Sequence, residues 1–266
     1  MSYQPTDRFV FPKWANYFLP LILMTGVGAG TVVPPIVLWG GSAEPLNVGY
    51  QPTQPVPYSH ALHVGQLGLD CTYCHNTVKD AGFAAIPATD VCINCHAPAE
   101  NIDGTPTRVA GVHQASLHLR PVWESYQTGK PIPWVKVHDV ADYAYFPHSA
   151  HVNKGIGCVS CHGRVDKMGS PVTGETIVGV YQAENLSMGW CLDCHRAPEK
   201  HLRPTEMVTV MDWSPLDDER VQAAIADGEL AEGDVQAAQL WLGNKLKAEY
   251  QINNAAYMQA CSTCHR

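Results

Sequence analysis

The sequence contains few charged residues and no basic run. Charged residues make up 16% of the 266 residues, and the formal net charge is −8. Without a basic patch the chain has no surface suited to nucleic acid, so we expect no nucleic-acid partner. Unpaired cysteines are also absent, because all 10 cysteines form five Cys-x-x-Cys pairs: Cys71/Cys74, Cys92/Cys95, Cys158/Cys161, Cys191/Cys194 and Cys261/Cys264.

The segment from Trp14 to Ala43 contains no charged residue. Its apolar centre, Phe18 to Trp39, is long enough to cross a hydrocarbon core of about 30 Å as a helix. Arg8 and Lys13 precede the segment, and the next basic residue is Lys79. The positive-inside rule therefore predicts a cytoplasmic N-terminus, a lipid-embedded helix, and the rest of the chain on the periplasmic side of a bacterial cytoplasmic membrane.

A cleaved signal peptide is the rival interpretation of this segment, and Gly41-Ser-Ala43 would suit a peptidase. The apolar run is longer than a usual signal-peptide core, which favours an uncleaved single-pass anchor. Pro34-Pro35 is expected to end or kink the helix, because proline lacks the amide N–H that a helix needs.

Every second cysteine is followed directly by a histidine, and Cys-x-x-Cys-His is the attachment motif of c-type haem. Two thiols bind the porphyrin edge, and the next residue places its imidazole under the iron. We therefore predict five covalently bound haems c, with proximal ligands His75, His96, His162, His195 and His265.

Other cysteine chemistries do not fit this pattern. A structural zinc site has no use for a histidine after each pair, and five pairs do not form closed sets of four ligands. The Cys-Pro ending of a bacterial ferredoxin motif is absent. A disulfide within one Cys-x-x-Cys turn would be strained and would leave the histidines unexplained.

Sixth ligands for the irons are expected among the histidines outside the motifs. His60/His63 and His148/His151 are spaced three apart just before a haem motif, so one short helix can offer imidazoles to two haems. His138 is a further candidate, and Met188 is the reserve candidate, because methionine is the competing axial ligand. The other three histidines are read as surface or packing residues: His113, His118 and His201.

The predicted fold class is a multihaem cytochrome c, mostly irregular, with short α-helices around five haems. Its regions are an N-terminus and transmembrane anchor (1–43), a Pro-rich linker (44–57), a tetrahaem region with two related His-x-x-His modules (58–205) and an acidic helical segment with the fifth haem (206–266). Helices are expected from Ser214-Pro215 to Gly228 and from about Asp234 to Tyr250. Residues 206–234 hold nine acids and one base, which indicates a solvated face or a docking surface for a basic partner.

Four stretches carry a resemblance to a known family. They are Gly129-Lys-Pro-Ile-Pro-Trp-Val-Lys-Val-His138-Asp, Phe146-Pro-His148-Ser-Ala-His151-Val, Ser187-Met-Gly-Trp-Cys-Leu-Asp-Cys-His195-Arg-Ala-Pro and Cys261-Ser-Thr-Cys-His265-Arg. With them the chain resembles the pentahaem subunit, often called ActA, of bacterial alternative complex III, a quinol:electron-acceptor oxidoreductase. The resemblance covers residues 56–206, the last motif and the anchor, but not residues 207–255.

This resemblance implies an electron-transfer subunit without bond-making chemistry of its own. Its implied partners are polytopic quinol-oxidising subunits, an iron–sulfur subunit and a monohaem cytochrome c or another acceptor. Resemblance to small multihaem cytochromes further implies that His60 ligates the haem of His75 and that His148 ligates the haem of His162. His63 and His151 are then expected to reach haems attached elsewhere, and His138 to serve the haem of His96.

Two rival functions stay open. A multihaem oxyanion reductase often has a lysine in place of a motif histidine, and no motif here has one. A quinol dehydrogenase of the NapC/NirT kind is also anchored by one helix, but it normally carries four haems with the first close to the membrane. Here a Pro-rich linker separates the anchor from the first motif.

Overall fold

The computed structural model describes residues 12–40, 42, 46–101, 103–107, 111–170 and 177–265, with only the backbone of residues 177 and 178. The expectations for Arg8, for Gly41 and Ala43, and for the start of the linker lie outside the described residues. The chain divides into two units, Met1–Asn47 and Val48–Arg266.

One long helix, α1 (Ala15–Gly40), makes up most of the described part of the first unit. Its 26 residues are long and apolar enough to cross a membrane, and none of them is buried. The helix continues through Pro34 and Pro35, so of the end or kink expected at this pair, the end does not occur. Proline's fixed φ is itself helical, so each proline removes a hydrogen bond without forcing the chain out of the helix.

Short helices joined by turns and extended segments make up the second unit. A π-helical turn spans Ala61–Gln66. The α-helices are α2 (Cys71–Cys74), α3 (Thr89–His96), α4 (Arg120–Thr128), α5 (His148–Val152), α6 (Val159–His162), α7 (Met188–Arg196), α8 (Glu219–Ala226), α9 (Val235–Glu249), α10 (Ala255–Met258) and α11 (Cys261–Cys264). Two-residue strands β1 (Met168–Gly169) and β2 (Ile177–Val178) pair in parallel.

Capping side chains explain where several of these helices begin. The carboxylates of Asp70 and Asp234 accept hydrogen bonds from amides in the first turns of α2 and α9. The Ser187 hydroxyl and the Asn254 amide oxygen do the same for α7 and α10. These caps satisfy N–H groups that a helix cannot satisfy by itself. Two of the capped helices, α2 and α7, carry haem motifs.

An apolar core without haem motifs lies in the last quarter of the chain. Leu202, Val221, Ala238, Leu242 and Leu246 are buried together. The helices predicted in this region are confirmed as α8 and α9, although a 3-10 turn at Pro215–Asp217 precedes α8. Gly243 lets α9 approach the chain just after the fourth motif, since a Cβ there would lie 1.9 Å from the carbonyl oxygen of Glu199.

Apolar packing among the described residues around the first and third motifs is slight. One small cluster joins Val78, Val152 and Val208. Helical segments account for about 50% of the described residues, more than the mostly irregular fold predicted. Much of the helix comes from α1 and α9, whereas the motif helices themselves are short, as predicted.

Candidate haem centres

The Cys-x-x-Cys pairs lie on helical turns that present both thiols with the following histidine. The amide N–H of His75 donates to the carbonyl of Cys71 over 2.8 Å, and that of His265 donates to Cys261 over 2.8 Å. A bond of this spacing closes one helical turn and brings all three side chains together. All ten cysteines are free of disulfide bonds.

Two motif cysteines differ from the rest in their exposure. Cys95 and Cys261 are exposed, whereas the other eight motif cysteines are partly buried. Cys95 lies in the last turn of α3, and its carbonyl oxygen accepts a hydrogen bond from the amide of Val112 over 2.7 Å. The backbone of the second motif is therefore held in place while Cys95 itself stays at the surface. Haem attachment through Cys95 stays a prediction, as it does for the other cysteines.

Backbone carbonyls orient the imidazoles of four motif histidines. Nδ1 of each ring lies 2.9–3.0 Å from a carbonyl oxygen, which accepts its proton: His75 with Ala85, His96 with Val112, His195 with Met258 and His265 with Tyr143. A proton on Nδ1 leaves the lone pair of Nε2 for a metal. The donor set therefore fits the proximal ligands of c-type haems.

Three of the histidines outside the motifs show the same arrangement. Nδ1 of His63 donates to the backbone carbonyl of Ser59 over 2.8 Å, and Nδ1 of His151 donates to that of Pro147 over 2.9 Å. Nδ1 of His148 donates to the carbonyl of Gly82 over 3.0 Å. Each leaves Nε2 able to bind an iron as a sixth ligand.

The two His-x-x-His pairs have matching surroundings. The Tyr58 ring stacks on His63 with centroids 4.4 Å apart and meets His60 edge-on at 4.7 Å. Phe146 stacks on His151 at 4.4 Å and meets His148 edge-on at 4.9 Å. The aromatic residue two positions before each pair therefore holds the two imidazoles in different directions.

Ring separations indicate which imidazoles could share an iron. Two imidazoles on opposite faces of one iron have centroids roughly 6 Å apart, because metal–imidazole bonds are about 2 Å long. The separation is 6.4 Å for His148 and His162, with planes 18° apart. It is 6.0 Å for His63 and His96 and 6.1 Å for His151 and His195. Of these pairings, the sequence specified His148 with His162; it expected His63 and His151 only at haems attached elsewhere, and it assigned His138 to the haem of His96. Ligation itself stays a prediction.

His60 is a buried imidazole near the first motif. Its Nδ1 is buried and has no hydrogen-bond partner among the described residues. Burial, and then the nearby imidazoles of His75 and His63, lowers the pKa of His60 to about 4. The ring is therefore neutral at pH 7, which is the form that binds a metal.

His138 lies at the third motif and not at the second, where the sequence reasoning expects it. Its ring centre is 4.3 Å from that of His162, too close for an iron between them. Its Nε2 is buried and has no hydrogen-bond partner in the described part of the chain. The physical reason lies upstream, where Gln54 exchanges two hydrogen bonds with the backbone of Val135 and ties this segment to the linker.

Met188, the reserve ligand, lies at the surface. Its side chain is 63% exposed at the start of α7.

A histidine that the sequence did not single out lies beside the second motif. His113, read as a surface or packing residue, has its ring centre 6.1 Å from that of His96 with planes 21° apart, the same spacing as in the three pairs above. It follows Val112, the acceptor of the His96 Nδ1 proton, and an isolated histidine gave no sequence signal for this contact. Beside His265 the structure places the ring of Tyr143, at 5.8 Å.

Contacts link the first three motifs in the order second, first, third. The Asn94 amide on α3 donates to the Tyr73 hydroxyl on α2 over 3.3 Å. One short segment then joins the first motif to the third. The amide of Cys158 donates to Val208 over 2.9 Å, and Sγ of Cys71 lies 3.9 Å from the carbonyl oxygen of the next residue, Thr209.

The remaining motifs extend the same series. Helix α5 joins the third and fourth motifs, because its His148 ring lies 6.4 Å from that of His162 and its His151 ring lies 6.1 Å from that of His195. The fourth and fifth motifs meet where Arg196 donates to the side chain of Gln259 over 3.3 Å. The motifs therefore follow one another as second, first, third, fourth, fifth.

Attachment motifs on helical turns, with paired imidazoles at the spacing of an iron, are the features of multihaem c-type cytochromes, which transfer electrons. No protein-family model matches the chain. Over 180 residues the chain is 29% identical to the protein named "Menaquinone reductase, multiheme cytochrome c subunit" from Nitratidesulfovibrio vulgaris Hildenborough. The alignment spans 64% of this chain and 80% of that protein. This likeness supports a multihaem cytochrome c subunit with covalently bound haem, but it does not single out alternative complex III.

Proposed function

We propose that the chain is the pentahaem electron-transfer subunit of a membrane-bound quinol:electron-acceptor oxidoreductase. It passes electrons through five haems to a downstream cytochrome c, copper protein or oxidase. The observation that carries this proposal is that each motif lies close to the next, in the order second, first, third, fourth, fifth. Neighbouring haems in such a series lie close enough for electrons to pass from one to the next.

The residues of this chain attach, orient and space the haems, each of which supplies a one-electron iron couple when bound. The ten thiols would hold the haems as thioethers, and the motif histidines would bind the irons. We assign His60, His63, His148 and His151 as sixth ligands of the haems at His75, His96, His162 and His195. For the haem at His265 we keep Met188 as the candidate, because His138 lies at the third motif.

Helix α1 holds the chain at the membrane in this proposal, with the haem unit on the periplasmic side. The anchor keeps the haems beside polytopic and iron–sulfur partner subunits. A long apolar helix supports this placement, and Lys13 at its start supports the orientation. The chain itself makes and breaks no substrate bond.

The haem count gives the first test. The intact mass of the mature chain should exceed the polypeptide mass by five haems, with no disulfide, because thioethers consume every thiol. A variant with both Cys261→Ser and Cys264→Ser should carry four haems and serves as the control. Four or fewer haems in fully matured chain with all ten cysteines would contradict the proposal.

A second candidate function comes from the relative's name. In a menaquinone reductase the electrons would run from the haems into the quinone pool. The subunits that copurify in mild detergent, and the direction of electron flow, distinguish the two. Reduction of the haems by menaquinol favours the first function, whereas menaquinone reduction driven by a reduced soluble cytochrome c favours the second. A solitary chain with quinol oxidase activity would favour a NapC/NirT-like dehydrogenase.

A further inference from the structure

Arg203 is a buried arginine beside the third haem motif. It follows Leu202 of the C-terminal core and is 8% exposed. Its amide donates to the carbonyl of Gly155 over 2.9 Å, three residues before Cys158. The side chain therefore lies between the apolar core of the last quarter and the third motif.

No carboxylate neutralises this side chain among the described residues. Nη1 donates to the carbonyls of Val210 at 2.8 Å and Met207 at 3.4 Å, and the guanidinium lies 5.0 Å from the Trp213 ring centre. Nε is buried and has no hydrogen-bond partner in the same part of the chain. Arg220, by contrast, pairs with Asp218. A buried charge without a counter-charge is costly and points to a role.

The guanidinium lies directly against the third motif. A Cβ on Gly157, the residue before Cys158, would lie 2.5 Å from Cζ and Nε of Arg203. Glycine at this position therefore leaves the space that the guanidinium occupies. Burial lowers the pKa of Arg203, yet arginine stays protonated in proteins, so the positive charge persists at all physiological pH values.

The same guanidinium donates hydrogen bonds to the segment 207–210, which contacts the first and third motifs. Its acceptors, Met207 and Val210, flank Val208 and Thr209. Val208 accepts the amide of Cys158, and Thr209 lies against the thiol of Cys71. One side chain thus connects a fixed positive charge to the attachment points of two neighbouring haems.

We propose that Arg203 is a positioning residue that raises the reduction potential of the haem attached at Cys158 and Cys161. Reduction of ferric to ferrous iron lowers the haem charge by one, so a fixed positive charge nearby favours the reduced state. The third motif is central in the contact series, and Arg203 therefore stabilises an electron midway along it. This inference rests on the haem attachments proposed above.

The test compares Arg203→Gln, Arg203→Lys and the control Lys245→Gln in the full chain. Potentiometric titration is followed by electron paramagnetic resonance and by NMR of the haem methyl groups, which assigns each transition to a motif. A unit charge roughly 10 Å away, at an effective dielectric constant of about 20, changes a one-electron equilibrium by roughly tenfold. We expect Arg203→Gln to lower the equilibrium constant for reduction of the third haem roughly tenfold, which lowers its reduction potential by about 59 mV for one electron.

Arg203→Lys keeps the charge and should keep most of the potential. Lys245→Gln removes an exposed charge on α9 and should move no transition. The proposal is overturned if Arg203→Gln changes no haem potential or changes all of them equally. It is also overturned if Arg203→Lys lowers the potential of the third haem as much as Arg203→Gln does.

Gly157→Ala provides a second test in case Arg203→Gln does not mature. Its Cβ displaces the guanidinium but retains the charge, so we expect a smaller fall at the same haem. An unchanged potential in a fully matured Gly157→Ala chain would contradict the proposal. Intact mass reports the haem number of each variant, so failed attachment is distinguished from an altered potential.

Discussion

At the scale of single residues, hydrogen bonds from Nδ1 to backbone carbonyls leave seven histidines with an Nε2 able to bind iron. A carbonyl oxygen can only accept, so the Nδ1 that faces it carries a proton, and in a neutral imidazole Nε2 then has none. Motif and non-motif histidines share this device, as His96 and His63 illustrate. Local backbone geometry therefore selects the metal-binding tautomer before a haem is attached.

The sixth-ligand assignment leads to a prediction about two substitutions. His63→Ala and His151→Ala should each convert one six-coordinate low-spin haem to a high-spin form, at His96 and His195 respectively, without loss of haem mass. Low-temperature electron paramagnetic resonance measures the change. If both variants keep every haem low-spin, the proposed wiring is wrong.

His113→Ala is the matched control for this experiment. Its ring also lies 6.1 Å from that of His96, but it follows Val112, the acceptor of the Nδ1 proton. We assign it no iron and expect all haems to stay low-spin. A high-spin haem in this variant would transfer the ligand role from His63 to His113.

At the scale of elements, α9 supports the fourth motif from outside. Gly243 brings the helix against Glu199, and Lys247 pairs with the same glutamate at 2.8 Å, half-buried. Glu199 lies four residues after His195. The apolar core in the last quarter of the chain thus packs, through α9, against the segment that follows the fourth motif.

This close approach predicts that Gly243→Ala destabilises the C-terminal core. Alanine normally stabilises a helix relative to glycine by about 0.5–1 kcal/mol. Here its Cβ would meet the Glu199 backbone, so we expect a net loss of about 1–3 kcal/mol from overpacking. Chemical denaturation followed by circular dichroism measures it. Gly82→Ala, at a position with open space around the Cβ, should leave stability nearly unchanged.

At the scale of the whole molecule, the two units have different physical characters. The described part of the first is mainly one apolar helix, α1, with no buried residue. The second holds all five motifs, and its larger apolar core lies in the last quarter of the chain. Among the described residues, α1 is the one helix long and apolar enough to cross a membrane.

Removal of residues 1–43, with a cleavable signal sequence supplied, should therefore yield a soluble domain with five haems. Cell fractionation and intact mass measure the outcome, with the full chain as the membrane-bound control. A truncated domain that stays in the membrane without partner subunits would reveal a second membrane contact.

The sequence by itself determined the haem motifs, the apolar helix and the two C-terminal helices. These features are local, since one turn holds Cys-x-x-Cys-His and one continuous run of apolar residues forms α1. The tertiary structure decided which imidazoles meet, because paired rings such as those of His63 and His96 come from separate segments. The tertiary structure also places His138 beside the third motif, where Gln54 bonds to the backbone of Val135. It buries Arg203 with no carboxylate partner among the described residues. Both results depend on how distant segments pack, which residue spacing does not encode.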